Sequence, residues 1–480
     1  MESLKEKTAK GLFWGGMTNG IQQLLGLAAG ILLGRLLTPE DFGLTAMIAV
    51  FSVVANELQN SGFRVALVNM KAPTANDYNS VFWFNIIMGC SMYVVLFFCA
   101  PLIAAYYRRP ELVALCRYAF LGFVFSAFGT AQLAYLTKNL CTKQQAKAGI
   151  FATAVSISVG VVMAFNGWAY WSLATQNIVF IGTNTLFLWY YSPWRPTLHI
   201  DFGPVKRMYR FSCKVFIMSI FILLNNNVLN ILLGRYFSAW ATGLYSQAYQ
   251  WNSKCFYLLQ GMVQVVAQPV FVDLREESGR QLKALRKLMR FTAFLSFPML
   301  FGFGLVSHEF IVIPLTEKWA ESAEYIRFLC ISGALVPLTS LFSNLIMSKG
   351  KSDVCMWCTV CFGLLQIALM MLIYSYGIRS MVIAYVIASV AWFFVWHHFV
   401  SRYTGYSLAM LLADIVPYAV AAFAVMVATY VLTSGISGLW QLLIAKILLA
   451  AVLYYLLLRV AGCKILAECT AFIIGKIRKK

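Results

Sequence analysis

Residues 31–44 read ILLGRLLTPEDFGL, and residues 231–244 read ILLGRYFSAWATGL. At a constant offset of 200, Ile31, Leu32, Leu33, Gly34 and Arg35 return as Ile231, Leu232, Leu233, Gly234 and Arg235, and Gly43-Leu44 returns as Gly243-Leu244. In both places a long apolar stretch ends and another opens. A repeat at this scale decides the architecture before any single residue does, and it predicts a molecule of two related lobes.

Composition fixes the solvent. Of 480 residues, 61% are hydrophobic and only 12% charged, with a mean hydropathy of +0.74. So few charges cannot cover a soluble protein of this size. Apolar runs of roughly 20 residues, the length that crosses a bilayer, fill nearly the whole chain. Only helices or a closed barrel satisfy the backbone in hydrocarbon, and these runs are continuous rather than alternating, so helices are expected. Fourteen spans are predicted: 11–36, 40–62, 79–105, 111–137, 147–166, 169–190, 209–236, 240–271, 288–313, 322–348, 354–376, 379–400, 409–432 and 438–460. The predicted class is an all-α membrane protein with two six-helix lobes and a C-terminal helix pair.

The net charge of +20 comes from 38 Lys and Arg against 18 Asp and Glu. These cations concentrate in alternate loops, which the positive-inside rule explains without invoking nucleic acid. With the N-terminus cytoplasmic, the outside loops carry only Arg35, Arg108, Arg109, Arg235, Lys318 and Arg379. An even number of spans then returns the C-terminus to the cytoplasm. The repeats begin six spans apart, so they are expected to be parallel about an axis along the membrane normal, and to enclose a site between them. The predicted parts are an N-terminal lobe over 1–200, a C-terminal lobe over 201–405, extra helices over 406–462, and a basic amphipathic tail over 463–480 lying on the membrane surface.

Catalytic and metal motifs fail on inspection. Ser348-Lys349-Gly350-Lys351-Ser352 ends like a phosphate loop, but Leu345 stands where a glycine is required. Cys355, Cys358 and Cys361 lack a second ligand pair, and the other cysteines of the 12 are scattered as small hydrophobes. His397-His398 ends a span and is expected to be solvated. No metal, cofactor or enzymatic activity is expected.

Polar groups inside the spans carry the functional signal, because their burial in hydrocarbon is costly. Lys254 lies deep in span 8, with Gln250 and Gln247 one and two turns before it. Lys214 and Arg64 add cations near span ends, and Gln23, Asn226 and Asn230 add amides. These eight residues are the predicted lining of a cationic cavity that admits an anionic cargo. Glu57 is a candidate proton or sodium coupling group, with a salt-bridge role as the plainer reading. Arg35 and Arg235 belong to the repeat itself and suit helix C-termini.

The chain resembles the polysaccharide transporter family of the multidrug/oligosaccharidyl-lipid/polysaccharide flippase superfamily. The resemblance is carried by Lys10-Gly11-Leu12-Phe13-Trp14, by Gly34 to Gly43 (GRLLTPEDFG), by Ser61 to Val68 (SGFRVALV) and by Asp77 to Asn85 (DYNSVFWFN). It implies fourteen helices in a bacterial inner membrane. It also implies translocation of an undecaprenyl-pyrophosphate-linked oligosaccharide to the periplasmic leaflet by alternating access through a basic cavity, which Lys254 and Arg64 fit. Its expected partners are the polyprenyl-pyrophosphate glycolipid, membrane lipids and polysaccharide assembly proteins. Three alternatives remain at this point: a multidrug or organic-cation antiporter of the same superfamily, a membrane glycopolymer polymerase or ligase, and a flippase for peptidoglycan precursors.

Overall fold

The computed structural model describes residues 4–70, 72–198, 201–463 and 465–468; within its helices the side chains of 4–13, 15, 16, 19, 53–66, 69, 204 and 206–220 are not described. Every predicted span is helical, and among the described residues there is no strand. The helices are α1 (Leu4–Leu36), α2 (Pro39–Asn69), α3 (Ala75–Tyr107), α4 (Leu112–Ala119), α5 (Leu121–Ala127), α6 (Thr130–Lys138), α7 (Thr142–Phe165), α8 (Tyr170–Tyr191) and α9 (Gly203–Tyr236). They continue as α10 (Ala239–Asp273), α11 (Ser278–Leu305), α12 (Ser307–Leu315), α13 (Ala320–Gly333), α14 (Val336–Ser348), α15 (Ser352–Ile373), α16 (Ile378–Thr404), α17 (Leu408–Leu432) and α18 (Leu439–Val460).

Among the described residues, nine helices are long and apolar enough to cross a membrane, or ten if the bent α4–α6 segment is one span. The chain is therefore a multi-pass membrane protein. Of the other expected spans, the described part of α1, Gly20–Leu36, is apolar but shorter, and α9 carries Asn225, Asn226, Asn227 and Asn230.

The chain divides into two compact units, Met1–Gly243 and Leu244–Lys480. In the first, α9 packs against α2 and α3. The repeated motif builds this junction. Thr38 and Asp41 form a reciprocal cap on α2: the Thr38 N–H and hydroxyl both donate to Asp41 Oδ2 at 2.9 and 2.7 Å, and Asp41 N–H donates back to Thr38 Oγ1 at 3.3 Å. Two hundred residues on, Ser238 caps α10 by accepting from Ala241 N–H at 3.1 Å. Ala241 replaces the aspartate, so the second copy keeps half of the cap.

The glycines of the motif matter for approach. A β-carbon on Gly43 would fall 1.7 Å from the Ala239 carbonyl oxygen, and one on Gly243 would fall 1.8 Å from that of Pro39. One on Gly234 would meet Met47 Cγ and Tyr107 Cε1 at 2.8 Å. At Gly43 and Gly243 backbone meets backbone because no side chain intervenes.

The fourth predicted span is three helices, with a 42° bend before α6. Breaking a helix in hydrocarbon frees carbonyls that must find donors, and α8 supplies them. Thr185 Oγ1 donates to Phe125 O at 3.1 Å and Trp189 Nε1 to Phe128 O at 2.7 Å. The loop after α8 is held down on α3: Thr197 N–H donates to Asn79 Oδ1 at 2.9 Å and Trp83 Nε1 to Thr197 O at 2.7 Å.

The second unit is built around α11, which packs on α13 and α17. The predicted tenth span divides at Ala334–Leu335, and Pro337 lies in the first turn of α14, where its missing N–H costs nothing. α18 docks through polar contacts: Tyr454 Oη donates to Phe294 O at 3.1 Å, and Lys446 pairs with Glu309 of α12 at 2.6 Å.

Candidate functional site

α10 carries the most coherent set of predicted residues. Lys254 is half-buried, and its ammonium lies 4.1 Å from the centroid of the Trp251 ring. Trp251 is buried and meets Phe310 edge-on at 5.4 Å. The next residue, Asn252, is buried and donates to Leu329 O at 3.3 Å. This face of α10 is thus anchored in the second unit, and the cation–π contact holds Lys254 at its edge.

The face predicted for Gln247, Gln250 and Lys254 is divided. Gln247 is buried at 4% exposure, whereas Gln250 is exposed and donates to Ser246 Oγ at 3.3 Å. Lys254 keeps company with residues further along. Gln250, Lys254, Tyr257, Gly261, Gln264 and Gln268 alternate steps of four and three, so they form one stripe down the helix. All but Lys254 are exposed. From Gln250 to Gln268 the stripe runs about 27 Å at the α-helical rise, close to the roughly 30 Å of a bilayer's hydrocarbon core. Its far end opens into a crevice of 510 Å³ lined by Gln264, Val265, Gln268, Pro269, Val272 and Asp273. The polar groups of this stripe suit water or a polar ligand, while exposed Leu258, Met262, Val265 and Val266 beside it suit lipid.

In the first unit, Gln23 is exposed on α1, while its neighbour Gln22 is committed to Thr153 Oγ1 of α7 at 3.3 Å. On α9, Asn226 is half-buried and Asn230 is buried. Asn230 Nδ2 lies 3.5 Å from Asn227 Oδ1, and Asn227 donates to Leu223 O at 2.9 Å. Asn230 is thus part of an amide ladder within its own helix, and its Oδ1 has no hydrogen-bond donor. Arg235 stacks over the Tyr106 ring with its carbon 5.2 Å from the centroid, and donates to the Tyr106 carbonyl. Its repeat partner Arg35 is exposed on the last turn of α1. The side chains of Glu57, Arg64 and Lys214 lie outside the described residues, as do Lys464 and residues 469–480 of the predicted tail.

Two ionic clusters were not anticipated. Glu309 and Lys446 are buried to 4% and 6% side-chain exposure around their 2.6 Å contact. Lys446 also lies 3.4 Å from Leu305 O, and Glu309 Oε2 has no hydrogen-bond donor. Asp414 of α17 is fully buried and takes Arg286 Nε at 2.9 Å, Arg286 Nη2 at 3.1 Å and Arg290 Nε at 2.5 Å. Tyr406, between α16 and α17, donates its hydroxyl to Asp414 at 3.1 Å. Burial, reinforced by the Asp414 carboxylate, pushes the Tyr406 phenol far up. A lone charge inside each apolar run was the available signal. The expectation for His397 also needs correction. It is buried, with Nε2 2.9 Å from Tyr406 O, and only His398 is exposed. Cys355 and Cys358 are buried, and Cys355 Sγ donates to Ser343 O at 3.8 Å, as a small core residue would.

The chain is 25% identical over 355 residues to the teichuronic acid biosynthesis protein TuaB of Bacillus subtilis (strain 168), covering 74% of each chain. It is 26% identical over 358 residues to the lipopolysaccharide biosynthesis protein WzxC of Escherichia coli (strain K12), covering 73% of this chain and 72% of that one. Its fold is similar to that of the lipid II flippase MurJ in an inward closed conformation, with a TM-score of 0.72 at 13% identity over 93% of this chain and 99% of the other. An inward-facing multidrug resistance MATE transporter gives 0.64 at 14% identity over 79% and 95%. The family model described as "Polysaccharide biosynthesis protein" matches residues 32–324, more than half of the sequence, and the chain belongs to that family.

Proposed function

We propose that this protein is a flippase that carries a polyprenyl-pyrophosphate-linked oligosaccharide from the cytoplasmic to the outer leaflet of a bacterial inner membrane. The names of the relatives support the pathway, since they are biosynthesis proteins for teichuronic acid and lipopolysaccharide. The observation that carries the reading is the polar stripe of α10. Burying a hydrocarbon chain is worth about 0.8 kcal/mol per CH₂, so the polyprenyl anchor stays in lipid throughout. Only sugar and pyrophosphate need a wet track, and a stripe about as long as the bilayer is thick offers one.

Of the six stripe positions, one is cationic and none acidic. That chemistry suits a pyrophosphate better than an organic cation. Lys254, held against Trp251, is the group assigned to the phosphate, with Gln250, Gln264 and Gln268 hydrogen-bonding sugar hydroxyls. Gln247, Gln23, Asn226, Asn230, Arg64 and Lys214 remain secondary candidates, and Glu57 a candidate coupling group for a proton or sodium gradient. The full reading includes fourteen spans with both termini cytoplasmic. It has six-helix repeats over 1–200 and 201–405, the helix pair over 406–462 and a basic tail, and it allows for polysaccharide assembly proteins as partners. The protein acts as a transporter, not an enzyme.

The test is reconstitution into vesicles with a defined polyprenyl-pyrophosphate oligosaccharide, read by how much sugar an impermeant glycosidase can reach. Wild type should equilibrate the glycolipid between leaflets, and Lys254→Glu should stop it while still folding and inserting. Normal flipping by Lys254→Glu would overturn the assignment of the stripe.

A further inference from the structure

Away from α10, the second unit has a crevice of 580 Å³ between α13 and α16 whose lining is entirely apolar. Phe328 and Ile331 form one wall, and Ile383, Ile387, Val390 and Phe394 line the other. The α16 residues follow helical spacing, so the groove runs about 16 Å along one face. One turn before Phe328 on α13 stands Glu324, and one turn before Ile383 on α16 stands Arg379. They meet across the end of the groove at 3.2 Å, through Arg379 Nε and Glu324 Oε1, and the guanidinium carbon lies 5.7 Å from the Phe328 centroid. Both remain accessible, at 66% and 41% side-chain exposure.

An apolar channel closed by one exposed base and one exposed acid has the charge order of a zwitterionic lipid. We infer that this groove binds a molecule of phosphatidylethanolamine, with one acyl chain along α16, its phosphate on Arg379 and its primary ammonium on Glu324. The contact between them is Arg379 Nε to Glu324 Oε1, and both side chains keep much of their surface exposed for a headgroup. Arginine matches phosphate through its planar fork. Phosphatidylcholine offers no N–H to the carboxylate, and phosphatidylglycerol offers no cation, so each satisfies half of the pair. This site is independent of the flippase reading and can stand or fall separately.

Native mass spectrometry of the purified full chain, titrated with phosphatidylethanolamine, phosphatidylglycerol or phosphatidylcholine in detergent, tests it. One phosphatidylethanolamine should be retained where the other two are stripped. Arg379→Ala and Glu324→Ala should each weaken retention about tenfold, the scale of one charge-assisted hydrogen bond, and Arg379→Lys should restore part of it. Ile387→Trp, which fills the groove, should abolish retention; the two surface variants keep the test valid if that protein fails to fold. Equal retention of all three lipids, unmoved by the alanine variants, would mark an ordinary lipid-facing surface and overturn the proposal. So would tighter phosphatidylglycerol binding lost only in Arg379→Ala, or displacement of phosphatidylethanolamine by an equimolar polyprenyl phosphate.

Discussion

Gly43 and Gly243 hold each other's helix starts: each lies against the carbonyl of the residue four positions before the other, Ala239 and Pro39. The contact is reciprocal because the two residues are equivalent positions of one duplicated motif. A β-carbon at either would stand under 2 Å from backbone oxygen, and backbone cannot swing aside as a flexible side chain can.

Gly43→Ala and Gly243→Ala should therefore each lose about 3 kcal/mol, the upper end of overpacking costs, with the double variant less than additive because they share one junction. Thermal unfolding in detergent would measure this. Gly26→Ala is the control. Nothing lies within 4 Å of its added carbon, and it should gain up to about 1 kcal/mol from helix propensity.

The buried pair of α12 and α18 invites a mutant cycle. Lys446→Met alone leaves Glu309 without its counter-ion and should cost about 3–5 kcal/mol. Glu309→Leu combined with Lys446→Met should recover most of that loss. A double variant as unstable as the single one would show that packing, not charge, ties the two helices.

Asp414→Asn should cost roughly 2–3 kcal/mol, less than a fully buried pair, because Arg286 and Arg290 are 30% and 41% exposed and regain water. Proteolysis or hydrogen exchange should locate the loosening where α11 meets α17.

Tyr406 sets an alkaline limit. Its phenol is pushed up by burial and by Asp414, so the folded state holds the proton more tightly than the unfolded chain, whose tyrosines titrate near 10. The stability from this group is complete below about pH 10 and drains away as pH rises above it. Tyr406→Phe should be less stable at neutral pH by about 1 kcal/mol and should show a shallower decline above pH 10 in unfolding curves.

The helices were legible because apolar length is a local property; all fourteen predicted segments are helical. Their interruptions were not. The bend before α6 is stabilised by Thr185 and Trp189 of α8, donors whose positions depend on tertiary packing. Within the site, Lys254 announced itself as a lone cation in an apolar run. Of its two predicted neighbours Gln250 is exposed and Gln247 buried, a difference set by packing, and the exposed stripe continues forward to Gln268. The pairs Lys446–Glu309 and Arg286–Asp414 span 137 and 128 positions, and nothing local in either partner names the other.

The buried ammonium of α18 bears on how the protein is made. A lysine at the centre of a membrane helix costs about 2.5–3.5 kcal/mol to insert, and Lys446 escapes that penalty only where Glu309 is already present. During synthesis α12 leaves the ribosome before α18, so it can wait in the bilayer as a docking post for that helix. Truncation before α18 would strand the carboxylate instead, making α18 a late lock on biogenesis.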